Sequence, residues 1–175
     1  MARNYHLTGL EPASVWENFY AISQIPRETG NPEGITSYLL DFCKAHGIEA
    51  YRDEAYNVIA RVPATPGYEN ASPVILHSHS DMVCIKDEGV DHDFAKDPIR
   101  VYAEGDVVTA EGTTLGGDDG TGEIGFFTTR IPGLNAVSLT PNAFNCHSTQ
   151  EYLSIRECRY FYDKMAELLE KMKDM

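Results

Sequence analysis

The stretch Val74-Ile75-Leu76-His77-Ser78-His79-Ser80-Asp81 decides how this chain is read. Three consecutive large apolar residues, two of them β-branched, suit a strand buried on both faces. The pattern predicts a buried strand that starts at Val74 and runs into His77, His79 and Asp81. Alternate residues of a strand share a face, so those three side chains would point the same way at the strand's end. Imidazole binds zinc through one ring nitrogen while a nearby carboxylate fixes its tautomer. Open α/β sheets also place their sites at strand ends. A pair of surface histidines beside a strand terminus is the competing reading. His-x-Asp alone leaves both open.

Working outward, the N-terminal side reads as helix, helix, then two short strands. Val15, Phe19 and Ile22 recur at helical spacing within 11–24, and Pro12 sits where its missing N–H costs little. A second helix is predicted from about Glu33 to His46, with Ile35, Leu39 and Phe42 on one face and Gly47 closing it. Strands are predicted at Ile48–Arg52 and Asn57–Val62, followed by a breaker-rich loop over 63–72. On the C-terminal side, 84–98 is polar and irregular. Ile99–Tyr102 and Val107–Ala110 suit a hairpin around Glu104-Gly105. Ala136–Leu139 suits a short strand. Cys158, Phe161, Met165, Leu168 and Met172 mark a closing amphipathic helix. Alternating helices and strands predict an α/β layered domain.

Two further segments carry chemistry. Gly112-Thr113-Thr114-Leu115-Gly116-Gly117-Asp118-Asp119-Gly120-Thr121-Gly122 holds five glycines and two adjacent carboxylates. Glycines let the backbone turn tightly, and paired carboxylates suit a hard or borderline cation. A phosphate loop fits poorly, because no lysine follows the glycines and two aspartates repel an anion. A plain acidic turn is the bland alternative. His147, in Asn145-Cys146-His147-Ser148-Thr149-Gln150-Glu151, stands just before the last helix and by itself signals little.

Composition narrows the partners. The chain has 175 residues, 42% of them hydrophobic, and 27 acidic against 14 basic residues give a formal charge of −13. Such a surface repels phosphate backbones, which argues against nucleic acid. No apolar run reaches the ~18 residues of a membrane span, and the N-terminal stretch lacks the apolar core of a secretory signal. Cys43, Cys84, Cys146 and Cys158 form no CxxC pair, which predicts thiols in a reducing, cytoplasmic setting.

Taken together and in order, the motifs resemble one family. His79-Ser80-Asp81-Met82-Val83, then His92-Asp93-Phe94-Ala95-Lys96-Asp97-Pro98-Ile99, then Gly112-Thr113-Thr114-Leu115-Gly116-Gly117-Asp118 resemble the aminoacyl-histidine dipeptidases, also called Xaa-His dipeptidases, peptidase D or cytosol non-specific dipeptidases. Leu10-Glu11-Pro12, Ile25-Pro26-Arg27 and the tail from Gly133-Leu134-Asn135-Ala136-Val137 to His147-Ser148 suit the same group. The resemblance implies a zinc metallopeptidase catalytic domain with a central mixed sheet flanked by helices, acting as a hydrolase on Xaa-His and other dipeptides. It implies that His79 ligates one metal, Asp118 bridges two, His147 ligates the other, and Asp81 orients His79. One or two zinc ions, or other divalent metals, would be the cofactor.

The same resemblance exposes a gap. Family members carry a Glu-Glu pair after the glycine loop, a later Asp ligand, and a lid or dimerisation domain. This chain has no Glu-Glu, and only Glu123-Ile124-Gly125-Phe126-Phe127-Thr128-Thr129 separates the loop from Arg130. Residues 1–175 therefore read as one internally shortened catalytic domain with a junction near 123–133. The general base and two metal ligands are missing; Glu123 or Asp119 could in principle substitute, Glu123 being the first suspect, and nothing in the sequence places either. Two functions follow: a metal-dependent dipeptidase, or a non-catalytic remnant that folds and binds a metal weakly. Removing strands that should cover the sheet also predicts an open apolar face near Phe126 and Phe127, and with it self-association.

Overall fold

In the computed structural model, residues 3–117 and 124–172 are described. Helix α1, Ala13–Ser23, opens on Pro12 and buries Trp16. Helix α2, Glu33–Ala45, carries Glu33 in its first turn and Lys44 in its last, both matched to the helix dipole. It stops because Gly47 takes a positive φ of 68°. There the N–H of Ile48 reaches the Cys43 carbonyl at 2.8 Å and that of Gly47 the Lys44 carbonyl at 3.2 Å, the paired bonds of a Schellman stop. Strands β1, Glu49–Arg52, and β2, Val58–Arg61, then form an antiparallel hairpin.

The second sheet lies nearer the chemistry. β3, Val101–Glu104, and β4, Val107–Ala110, pair as the predicted hairpin, shifted by two residues at its start. After α3, Ile124–Arg130, come β5, Ala143–Phe144, β6, Tyr152–Ser154, and the long α4, Ile155–Met172. The sheet order is β3-β4-β6-β5, with every neighbour antiparallel. One isolated parallel bridge, Glu28 to Met82, lies outside the named strands. Alternation sets the faces: Val101 and Ala103 of β3, Val108 and Ala110 of β4 and Leu153 of β6 point into one core with Leu7, Trp16, Met82, Ile99, Leu115 and Cys158. The last helix starts at Ser154, whose hydroxyl accepts the Glu157 N–H, while Asp106 accepts the Arg156 N–H.

Two expected strands are not formed. Val74–Leu76 is irregular coil, with Ile75 85% and Leu76 66% exposed. So is Ala136–Leu139, with Val137 69% exposed. The physical reason is shared: an apolar run needs hydrogen-bonded strand neighbours at both edges and cover on both faces, and neither run is a strand of a described sheet. The apolar face expected near Phe126 and Phe127 is present, on helix α3 rather than on a strand, and Phe126 is 62% exposed. Helix α4 forms as its spacing predicts, yet of its stripe only Cys158 is buried. Helix α3 and strands β5 and β6 carried too little periodic pattern to be read in advance.

Candidate functional site

Three segments meet around the glycine turn. The first is the strand-like end at 79–82, anchored where the Met82 N–H donates to the Arg27 carbonyl at 3.0 Å. His79 and Asp81 come together there, with Nδ1 of the imidazole 3.2 Å from an Asp81 oxygen. The other Asp81 oxygen accepts the Thr29 hydroxyl at 2.7 Å. That hydroxyl, joined by the charge of His79, holds the Asp81 carboxyl below its ordinary range despite partial burial. The sequence foresaw this pairing but not Thr29, and it foresaw His77 on the same face. Instead His77 packs edge-on against Phe127 at 4.8 Å.

The second segment is 112–117. The buried Thr114 hydroxyl donates to the Val83 carbonyl at 2.7 Å and accepts the Ile85 N–H at 3.2 Å, stitching the loop to the chain after Asp81. Leu115 is fully buried. Next comes a feature that sequence reasoning missed. The buried Glu151 carboxylate accepts three consecutive backbone N–H groups: Leu115 at 2.9 Å, Gly116 at 3.2 Å and Gly117 at 2.8 Å. Burial pushes this carboxyl up, and the three amides oppose that rise. From the other side, the Arg27 guanidinium donates to the carbonyls of Gly116 at 3.2 Å, Asp81 at 3.3 Å and Ser80 at 3.4 Å. Burial pushes the pKa of Arg27 down.

Glycine suits both turn positions, for different reasons. Gly116 has φ +81°, and a Cβ there would stand 2.5 Å from an Arg27 nitrogen. A Cβ on Gly117 would stand 2.9 Å from a Glu151 oxygen. The third segment carries His147, which is exposed and takes a left-handed φ of 62°. Its loop is fixed by Ser148 donating to the Asn145 carbonyl at 2.7 Å and Thr149 donating to Asp87 at 2.6 Å. Four residues on, Glu151 ties this segment to the glycine turn.

Of the expected ligand set, the described residues bring together His79 and Asp81. Nδ1 of His79 faces the Asp81 carboxylate, the kind of imidazole–carboxylate contact that fixes the tautomer of a metal-ligating histidine. Among the described residues no group of three or more His, Cys, Asp or Glu side chains stands together to hold an ion. Asp118, Asp119 and Glu123 lie outside the described residues. Arg27, Thr29 and Glu151 had only faint signals in sequence: an arginine in a loop, a threonine beside it, and a glutamate ahead of a helix.

No family model matches the chain. It is 42% identical over 116 residues to a cytosol non-specific dipeptidase of Escherichia coli (strain K12), a match covering 66% of this chain and 24% of that protein. It also matches the crystal structure of aminoacylhistidine dipeptidase from Vibrio alginolyticus, with a TM-score of 0.60 and 43% identity over 63% of this chain and 22% of that one. Over the matched residues the chain is similar to aminoacylhistidine dipeptidases, as the motifs led one to expect. It spans about a quarter of the length of the relatives it matches. No described helix is long and apolar enough to cross a membrane.

Proposed function

We propose that this chain is a shortened dipeptidase catalytic domain that binds one zinc ion weakly and hydrolyses dipeptides poorly or not at all. The observation that carries this reading is the His79–Asp81 pair, at 3.2 Å and braced by Thr29, set in a chain without the Glu-Glu pair of its family. His79 would hold the ion, with Asp118 and His147 as further ligands and Asp81 fixing the imidazole. When bound, zinc polarises a peptide carbonyl and acidifies a water. General-base catalysis typically supplies ~10²–10⁴-fold, and the family's carboxylate for it is absent here. Glu123 is the replacement that the sequence offers.

The reading treats residues 1–175 as one domain with its junction near 123–133. Two things support that boundary: α3 buries none of its residues, and the apolar runs on either side of the site stand open to solvent. The substrates would be dipeptides, and a cytoplasmic location follows from the same kinship. The test is hydrolysis of Ala-His and Gly-Gly with added zinc, beside a His79→Ala control. Turnover at or below the level of the control is expected. Robust turnover that the control abolishes would overturn the reading and point to another base.

A further inference from the structure

Glu151 and Arg27 are two buried, oppositely charged side chains that touch no exposed partner, and both are spent on backbone. Between them they use six hydrogen bonds, three accepted and three donated, and every one lands on Leu115–Gly117 or on Ser80–Asp81. Gly116 receives both: its N–H goes to Glu151 and its carbonyl to Arg27. A buried charge without a partner is costly, so each of these residues compensates the other across a single glycine. The arrangement ties the segment after His147 to the glycine turn, and the turn to the backbone that carries His79 and Asp81. Three pieces remote in sequence are thereby held in one register.

We infer that Glu151 and Arg27 are positioning residues for the metal-binding pair His79–Asp81, an inference that rests on the metal reading proposed above. They touch no ion themselves. They fix the backbone from which the imidazole and its carboxylate project, as the partners of metal ligands generally must. The alternative is that the clamp is only core structure, which sets stability and leaves the imidazole alone.

The experiment measures zinc affinity by isothermal titration in the full chain, the Glu151→Gln variant and the Gly117→Ala variant. Far-ultraviolet circular dichroism reports whether each is folded. Gly117→Ala keeps the carboxylate but pushes the turn off it, and it serves if Glu151→Gln fails to fold. Amide hydrogen exchange at Leu115, Gly116 and Gly117 is followed without metal. The expected result is zinc affinity lower by roughly 10–100-fold in a folded variant, with faster exchange at those three amides. Faster exchange with unchanged zinc affinity would overturn the inference and leave the metal reading standing. Absence of zinc binding by the unmodified chain would refute the metal reading, and the inference with it.

Discussion

Arg27 and Glu151 hold the two ends of one residue: Glu151 accepts the Gly116 N–H at 3.2 Å, and Arg27 donates to the Gly116 carbonyl at the same distance. This explains why glycine suits the turn. At φ +81° any other residue is strained, and a Cβ meets the guanidinium at 2.5 Å.

Gly116→Ala should therefore destabilise strongly. The left-handed backbone alone costs about 1–2 kcal/mol, and displacing a charged donor adds roughly 1.5–3 kcal/mol. Gly105→Ala makes the contrast, since φ there is +64° but a Cβ meets nothing within 4 Å. It should cost only the backbone share. Urea melts followed by the fluorescence of the buried Trp16 would check both. Equal losses in the two variants would show that Arg27 yields freely.

Leu115 is fully buried between the clamped turn and the core. Leu115→Ala should cost about 2–5 kcal/mol, the range for deleting a leucine side chain from a packed interior. A loss below about 1 kcal/mol in the same melts would mean that the core around the turn collapses easily.

The order of the elements was largely legible in the sequence, because α1, α2, α4 and the two hairpins each carry a clear period. The His79–Asp81 pair was legible too, since two residues at strand spacing share a face. The strand at Val74–Leu76 was not, because an apolar run states only a demand for neighbours. Whether any exist is a tertiary fact. Glu151 was also invisible: nothing local marks a carboxylate that will cap three amides 34 to 36 residues away.

Cys158 tests how dry the base of α4 is. Burial pushes its thiol from 9.0 up to about 11, so the folded state favours the neutral form. That contribution is whole below pH 9 and is lost as pH climbs through 11. Labelling of Cys158 by a thiol-specific disulfide reagent should be negligible at pH 8 in native protein and prompt in urea. Prompt native labelling at pH 8 would show that α4 opens at its start.

The open apolar runs should drive association. Ile75 and Phe126 are among the most exposed large hydrophobics, and exposed apolar surface, where it is extensive, marks contact or aggregation sites. Light scattering after size exclusion should show mass rising with concentration, and the double variant Ile75→Lys with Phe126→Lys should suppress the rise. A monodisperse monomer at high concentration would contradict this expectation.

The central claim is that the chain keeps half of a dipeptidase metal site, and zinc stoichiometry tests it most directly. After equilibrium dialysis against micromolar zinc, metal analysis should find no more than one ion per chain, falling to background in His79→Ala. Two tightly held ions per chain, or binding that His79→Ala leaves unchanged, would contradict the account.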